Sequence, residues 1–465
     1  MVEGPKTDFK EFLEVLVSFD WHEWTEWIAE WGMSRALFLS TVYAAMLFVL
    51  STQIPNFLLF AFGWLVGTAP VWLPIAFIIG YYRVWVWYAH SIYLAGRNPV
   101  LLEMKIPREI TKSPRAMETA LTGFWYSSGE VTFLHRVWKG QVRPWFSFEI
   151  ASFGGEVHFY VWTWKAWRNA IEAHLYSQYP EIELVEVEDY SQKFVFDPKI
   201  HTCYCTDYRL EPPDKKNIDA YPIRTYVDIE LDQDPKEEFK VDPLATVLEF
   251  MSSIKPTQQV WLQIIFRQHG STGALVKTAS PWKKMVQEEV EKIRLESAVF
   301  PEELPEHISE ERLKAARPRG TWKQAEQVKT MERNLGKLPF DVGVRGIFIS
   351  RPEDFSSPGY TSVRWIWRPF ANPNYMSQLR PRRWHNPFDY PWQDFHDFRW
   401  NLQTRRFIDA FRRRSYFHTP WETPYNIMTN EVIATIFHPP SRTVMTPGLT
   451  RISSTKAAPP PNLPK

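Results

Sequence analysis

Residues 36–82 contain no Asp, Glu, Lys, Arg or His. A helix resting on a soluble core would show a polar stripe at each turn, and none is present here. The run far exceeds the roughly 20 apolar residues that one bilayer crossing needs. Two membrane passes are expected, the first over 36–54 and the second between 57 and 88, starting near Val71. A single kinked pass is the alternative, because Pro55, Pro70 and Pro74 can bend or end a helix. Ahead of the run, Phe12, Leu13, Leu16, Trp24, Trp27, Ile28 and Trp31 recur near helical spacing, with glutamates mostly between them. An amphipathic helix over 1–34 follows, lying either in the headgroup region or against the protein's own soluble part. Trp24, Trp27 and Trp31 on that helix, and Trp85 and Trp87 after the second pass, are the expected membrane-interface residues.

Beyond residue 97 the hydrophobic period alternates between strand and helix. Residues 100–107 read as a strand, and Ser113-Pro114 opens a helix to about 126 with Pro in its first turn. Two alternating runs flank Gly154-Gly155 as a hairpin. Residues 165–179 read as a helix and 181–190 as a strand. The order strand, helix, strand, strand, helix, strand is the split β-α-β pattern of a ferredoxin-like domain, with an antiparallel sheet and helices on one face. A second copy is expected from a strand at 223–231, a helix at 242–254, strands at 259–267 and 342–350, and a helix at 361–370. A charged insertion, 280–337, interrupts it with two or more exposed helices. The fold class is α+β: an interfacial helix (1–34), a transmembrane hairpin (35–96), ferredoxin-like domains at 97–215 and 216–440, and a Pro-rich extended tail (441–465).

The net charge of +1 says nothing about partners, but its distribution does. Basic residues follow the apolar run at Arg83, Arg97, Lys105, Arg108 and Lys112, which sets the soluble part on the cytoplasmic side. No cleavable leader is expected at the start, which is acidic and periodic. Arg replaces Lys entirely between 338 and 455, and Arg and aromatic residues interleave over 364–420. Arg binds phosphate bidentately and stacks on aromatic faces. Arg405, Arg406, Arg412, Arg413, Arg414, Arg382, Arg383 and Trp384 are therefore the candidate contacts to nucleic acid or another anionic partner. Anionic lipid, or pairing and packing within the chain, would use the same residues. Residues 405–414 are expected to form a helix with Phe407, Ile408 and Phe411 inward and its Arg face exposed.

Catalytic chemistry is not expected. Residues 270–277, GSTGALVK, have Val276 where a phosphate-cradling loop requires Gly before Lys. His201, Cys203 and Cys205 lack a fourth ligand and match no closed zinc spacing. His158 alternates with apolar neighbours, as a structural histidine would. No catalytic, cofactor or metal residues are assigned, and no cofactor is expected.

Several stretches together resemble a family of membrane-anchored bacterial proteins frequent in candidate-phyla-radiation genomes. They are VLLEMKIPREITKSPRAME, FSFEIASFGGEVHFYVW, LYSQYPEIELVEVEDY, DPLATVLEFMSSI, PWKKMVQEEVEKI, FDVGVRGIFIS and TNEVIATIFHPPS with the PPPNLP that follows. That family looks like the motor-less amino-terminal region of type IV secretion and conjugation ATPases. The resemblance implies a non-enzymatic, multi-pass scaffold in the bacterial cytoplasmic membrane that works beside a separate hexameric ATPase. Membrane lipid, that ATPase and further copies of the chain are the expected partners. The alternatives are a tethered module guiding single-stranded DNA through the Arg/aromatic segment, and an envelope structural protein. In the motors a segment resembling residues 429–441 precedes the ATPase domain. Here the chain ends soon after it, so hydrolysis is not carried over.

Overall fold

A computed structural model describes residues 35–452 apart from 54–55, 109, 111, 127–131, 214–218, 233–240, 271–280, 297–319, 384–393, 442–443 and 445. The 1–34 helix with Trp24, Trp27 and Trp31, the 441–465 tail beyond Ile452, and Trp384 lie outside the described residues. The chain divides into two compact units. One comprises the residues up to Arg83 together with 386–402, and the other 84–385 and 403–465.

The uncharged run forms α1 (Arg35–Gln53) and α2 (Phe57–Ala95). Among the described residues one helix, Leu59–Ala95, is long and apolar enough to cross a membrane. It starts well before Val71 and passes through Pro70 and Pro74. Below Pro70 the Thr68 hydroxyl donates to Trp64 O at 2.8 Å and the Trp72 indole to Leu65 O at 3.1 Å.

After Ala95 the chain builds a ten-stranded sheet. The strands are β1 (Pro99–Pro107), β2 (Trp145–Phe153), β3 (Glu156–Trp164), β4 (Glu183–Val187), β5 (Thr202–Glu211), β6 (Gln259–Gln268), β7 (Pro339–Ser350), β8 (Gln378–Arg383), β9 (Asn426–Thr429) and β10 (Arg451–Ile452). The main order is β10-β1-β3-β2-β6-β7-β5-β8, with β4 also on β1 and β9 on β7. All pairings are antiparallel except β1 with β10. The β2–β3 hairpin turns on Gly154 and Gly155, both at positive φ, which glycine adopts without steric penalty.

One strand expectation needs correction. Residues 223–231 form turns, because the Asp228 carboxylate accepts from the Thr225 amide at 2.9 Å and folds the chain back. Ile223, Thr225, Tyr226 and Leu231 are buried, but the segment pairs with no strand of the sheet. The strand that enters the sheet instead is β5, between β7 and β8. It precedes the expected domain boundary at 215/216, yet pairs with strands that follow it.

Helices cover both faces, not one. On the first face lie α3 (Pro114–Leu121), α4 (Arg168–Gln178), α6 (Pro243–Ser252), α9 (Ser357–Arg364) and α11 (Asn430–Ile436), with Met117, Leu121, Ile171, Leu175, Leu248, Val363 and Ile433 in one core with Phe146, Phe148 and Phe266. α6 begins as its sequence directs: the Asp242 side chain caps the Leu244 amide at 2.9 Å, with Pro243 following. The second face is covered by the short α5 (Tyr190–Lys193) and by α10 (Phe398–Arg412), whose Phe407, Ile408 and Phe411 pack on Trp261, Ile265 and Ile347. With both faces covered, every residue of β7 is buried.

The insertion forms α7 (Trp282–Glu296) and α8 (Trp322–Leu335). They are amphipathic rather than wholly exposed: Trp282, Val286, Val290, Ile293 and Met331 share a small core with Tyr221. Arg333 on α8 ties that core to the sheet's helical layer by pairing with Asp228 at 2.6 Å and buried Glu431 at 3.1 Å.

Candidate functional site

The strand registers align a row of polar side chains on the second face of the sheet. Directly opposed pairs run Glu103–Tyr160, Tyr160–Glu149, Glu149–Gln263, Gln263–Arg345, Arg345–Asp207 and Asp207–Arg382. Directly opposed residues point to the same face, so these side chains share one row without any local sequence signal.

At the middle of the row, fully buried Glu149 accepts from both Nε and Nη2 of Arg414, at 2.9 and 3.0 Å. It also accepts from Ser147 at 2.9 Å, Tyr190 at 2.7 Å and Gln263 at 2.9 Å. Arg414 pairs with Asp189 as well. Burial works against the charged Arg414, but Glu149 and Asp189 hold its proton more tightly than usual. Burial likewise opposes the Asp189 carboxylate, and Arg414 reverses the effect and keeps its pKa low. Arg345 is also fully buried, 3.2 Å from Asp207, and donates to Ala410 O and Ser415 O. Buried Asp341 is held below the usual carboxylate range against the pull of burial, by His269 at 2.5 Å and by Arg267 and Arg143.

These pairs split the candidate arginines. Arg414 is buried inside the chain, and the expectation that it offers an exposed contact is corrected. Arg412 is half-buried and donates to Ser191 O at 2.8 Å. Arg405, Arg406 and Arg413 are exposed, Arg413 next to Asp409 at 2.8 Å. Arg382 and Arg383 lie on edge strand β8, with Arg382 exposed. Trp85 and Trp87 lie on α2; the Trp85 indole donates to Val137 O at 3.0 Å and Trp87 is exposed.

Arg412 and Arg413 border a cleft of about 360 Å³ whose floor is Trp145, Trp162 and Trp164 and whose wall is Leu94 and His418. Arg97 lies over the Tyr93 ring at 4.3 Å and divides it from a second cleft of about 330 Å³. Each floor tryptophan is only about 5% exposed, so the cleft offers an Arg rim above a narrow aromatic strip. It suits an acidic side chain or a phosphate better than a stack of bases. His418 is kept neutral here by burial and by the charge of Arg267.

Cys203 and Cys205 share the second face, fully buried, and burial raises both thiol pKa values. The His201 ring meets Phe194 edge-on at 4.8 Å. Among the described residues no group of three His, Cys, Asp or Glu side chains is placed to hold a metal ion. His158 pairs with Glu103 at 2.7 Å.

Sequence reasoning missed Glu149, Asp207, Asp341 and Arg345. One signal was available for Glu149: a lone carboxylate inside the apolar strand FSFEIASF needs a buried cation. Comparison with protein-family models and with curated proteins returns no match to this chain.

Proposed function

We propose that this chain is a non-enzymatic, membrane-anchored scaffold of a type IV secretion or conjugation-like machine, presenting a cytoplasmic platform to a separate ATPase. The observation that carries it is the join between α2 and the sheet. Only Gly96, Arg97 and Asn98 separate the apolar helix from β1, and Arg97 bridges Tyr93 on α2 and Trp164 on β3. A join so short and so packed supports an anchor that fixes a platform rather than a flexible tether. A pass through α1 followed by a second through α2 would return the chain to its starting side, and the positive residues after Tyr82 favour the cytoplasm for that side.

Two ferredoxin-like halves are part of this reading. It is supported by the order β4-β1-β3-β2 in one half and β8-β5-β7-β6 in the other, with antiparallel neighbours throughout. The same register recurs, with Glu103, Glu149 and Tyr160 matching Asp207, Gln263 and Arg345. The halves meet where β2 pairs with β6.

Affinity purification of the full chain from native membranes tests the scaffold. An ATPase recovered in stoichiometric amount is the expected result, and repeated preparations without one would sink the idea.

Exposed Arg405, Arg406 and Arg413 favour a second reading, in which the same platform guides single-stranded DNA. The detergent-solubilised full chain would then bind a labelled oligonucleotide with steep salt dependence. Replacing these three by Ala would lower the slope of log affinity against log salt by about 0.7 for each phosphate that is no longer neutralised. An unchanged slope removes them as the site.

A further inference from the structure

The segment Leu134–Trp138, a single π-helical turn, packs beside α2 with an apolar edge facing outward. Phe133, Leu134 and Trp138 are 39%, 53% and 56% exposed. Its inner side is fixed to the helix. The Trp138 ring meets the Trp85 ring edge-on at 5.3 Å, and Val137 O accepts the Trp85 indole proton. Gly140 follows at φ +60, so close that a Cβ there would lie 2.2 Å from Ala89 O. The segment therefore cannot slide along α2.

Its height is set by the chain. Arg83 is the first charge after the uncharged run, and Trp85 follows it by about 3 Å at the ~1.5 Å rise per residue of a helix. The uncharged part of α2 is about 39 Å long by the same rise, enough for a hydrocarbon core of about 30 Å. Trp85 then falls at the headgroup level, where indoles concentrate. Trp138 lies beside it, with exposed Lys139 and half-buried Arg136 next in the chain. Exposed apolar rings flanked by cations match an anionic leaflet surface, and this face continues through Trp85 to the exposed Tyr88, whose ring lies 6.2 Å from that of Trp85.

We infer that Phe133, Leu134 and Trp138 form a second membrane contact, a wedge entering the headgroup layer beside α2. Resting on the membrane reading above, it sets the tilt of the platform against the bilayer. Binding is to an anionic bilayer surface.

Site-directed spin labelling tests this, because the buried native cysteines resist modification and a single added cysteine can be labelled. The full chain is placed in nanodiscs of phosphatidylglycerol and phosphatidylcholine, with labels at Leu134→Cys, Phe77→Cys on α2 and Ile200→Cys. Ile200 is exposed and precedes β5 at the end of the sheet away from Pro99. The expected result is an oxygen-to-nickel-chelate accessibility ratio at 134 several-fold above that at 200 and approaching that at 77. A water-like ratio at 134 with a bilayer-like ratio at 77 overturns the wedge and leaves the anchor standing. A water-like ratio at 77 overturns the anchor and the wedge with it. Protection from both reagents at 134 assigns the face to a protein partner and likewise overturns the wedge. As a second measurement, Trp138→Asp should shift a label at Phe133→Cys to water-like values while the label at 77 stays unchanged.

Discussion

Arg414, two residues past the end of α10, has a left-handed backbone conformation, φ 48, which costs a non-glycine residue about 1–2 kcal/mol. The conformation persists because it delivers the guanidinium to Glu149 and Asp189. Arg414→Ala leaves one wholly buried carboxylate and another mostly buried without their cation, so a stability loss of about 3–5 kcal/mol is expected in denaturant unfolding of the detergent-solubilised chain. Arg405→Ala, on α10 itself and exposed, should change stability by no more than about 0.5 kcal/mol. Only the protein fold separates these two arginines, since both sit in one Arg-rich run. His418 makes a second residue-scale prediction. Its pKa is well below the ordinary 6.5, so in acid the unfolded chain takes up a proton that the folded chain does not. Its effect on stability is absent above about pH 6.5 and becomes increasingly destabilising as pH falls below it. A melting temperature that drops between pH 7 and pH 5.5, and drops less in His418→Phe, is the expected outcome.

Among the elements, the contact between α2 and the 133–140 segment is decided by one glycine. Gly140→Ala would force a Cβ against backbone atoms of Ala89 and His90 and impose a positive φ on alanine, so a loss of at least about 2 kcal/mol is expected in the same unfolding measurement. Gly96→Ala meets only ordinary contacts at 3.6 Å and should be tolerated. The element expected at 223–231 shows how local chemistry can defeat a pattern. Alternation in IRTYVDIEL reads as a strand, but Asp228 and Thr225 offer the backbone a turn. Thr225 and Tyr226 are then held by Glu431 and Thr435 of α11, more than 200 residues later in the chain. The residues that do form the strand, 202–211, carry Cys203, Cys205 and Asp207, whose fit to a pleated surface depends on Ile347, Ile349 and Arg345 across from them.

On the scale of the molecule, the proposed halves are joined in one sheet, and the core on its first face runs across both. Phe148 of the first half stacks on Phe437 at 4.3 Å and lies 4.8 Å from Phe266, and β2 pairs along its length with β6. A fragment of residues 97–201 would expose the β2 edge and these rings. It is expected to aggregate or to give the poorly dispersed amide spectrum of a molten state, whereas 97–452 should give a dispersed one. A well-dispersed spectrum from the short fragment would show that the halves fold independently.

Local order was legible in the sequence wherever it depended on near neighbours. The uncharged apolar run, the Gly154-Gly155 hairpin, the Pro-led starts of α3 and α6 and the inward Phe407, Ile408 and Phe411 all follow from spacing, because helix and strand periods and turn chemistry act over a few residues. Tertiary structure alone decided which arginines remain exposed, which strand pairs between β7 and β8, and that helices cover both faces. Those outcomes depend on partners such as Glu149 for Arg414, 265 residues apart, and a burial energy set across that distance leaves no periodic trace in either segment.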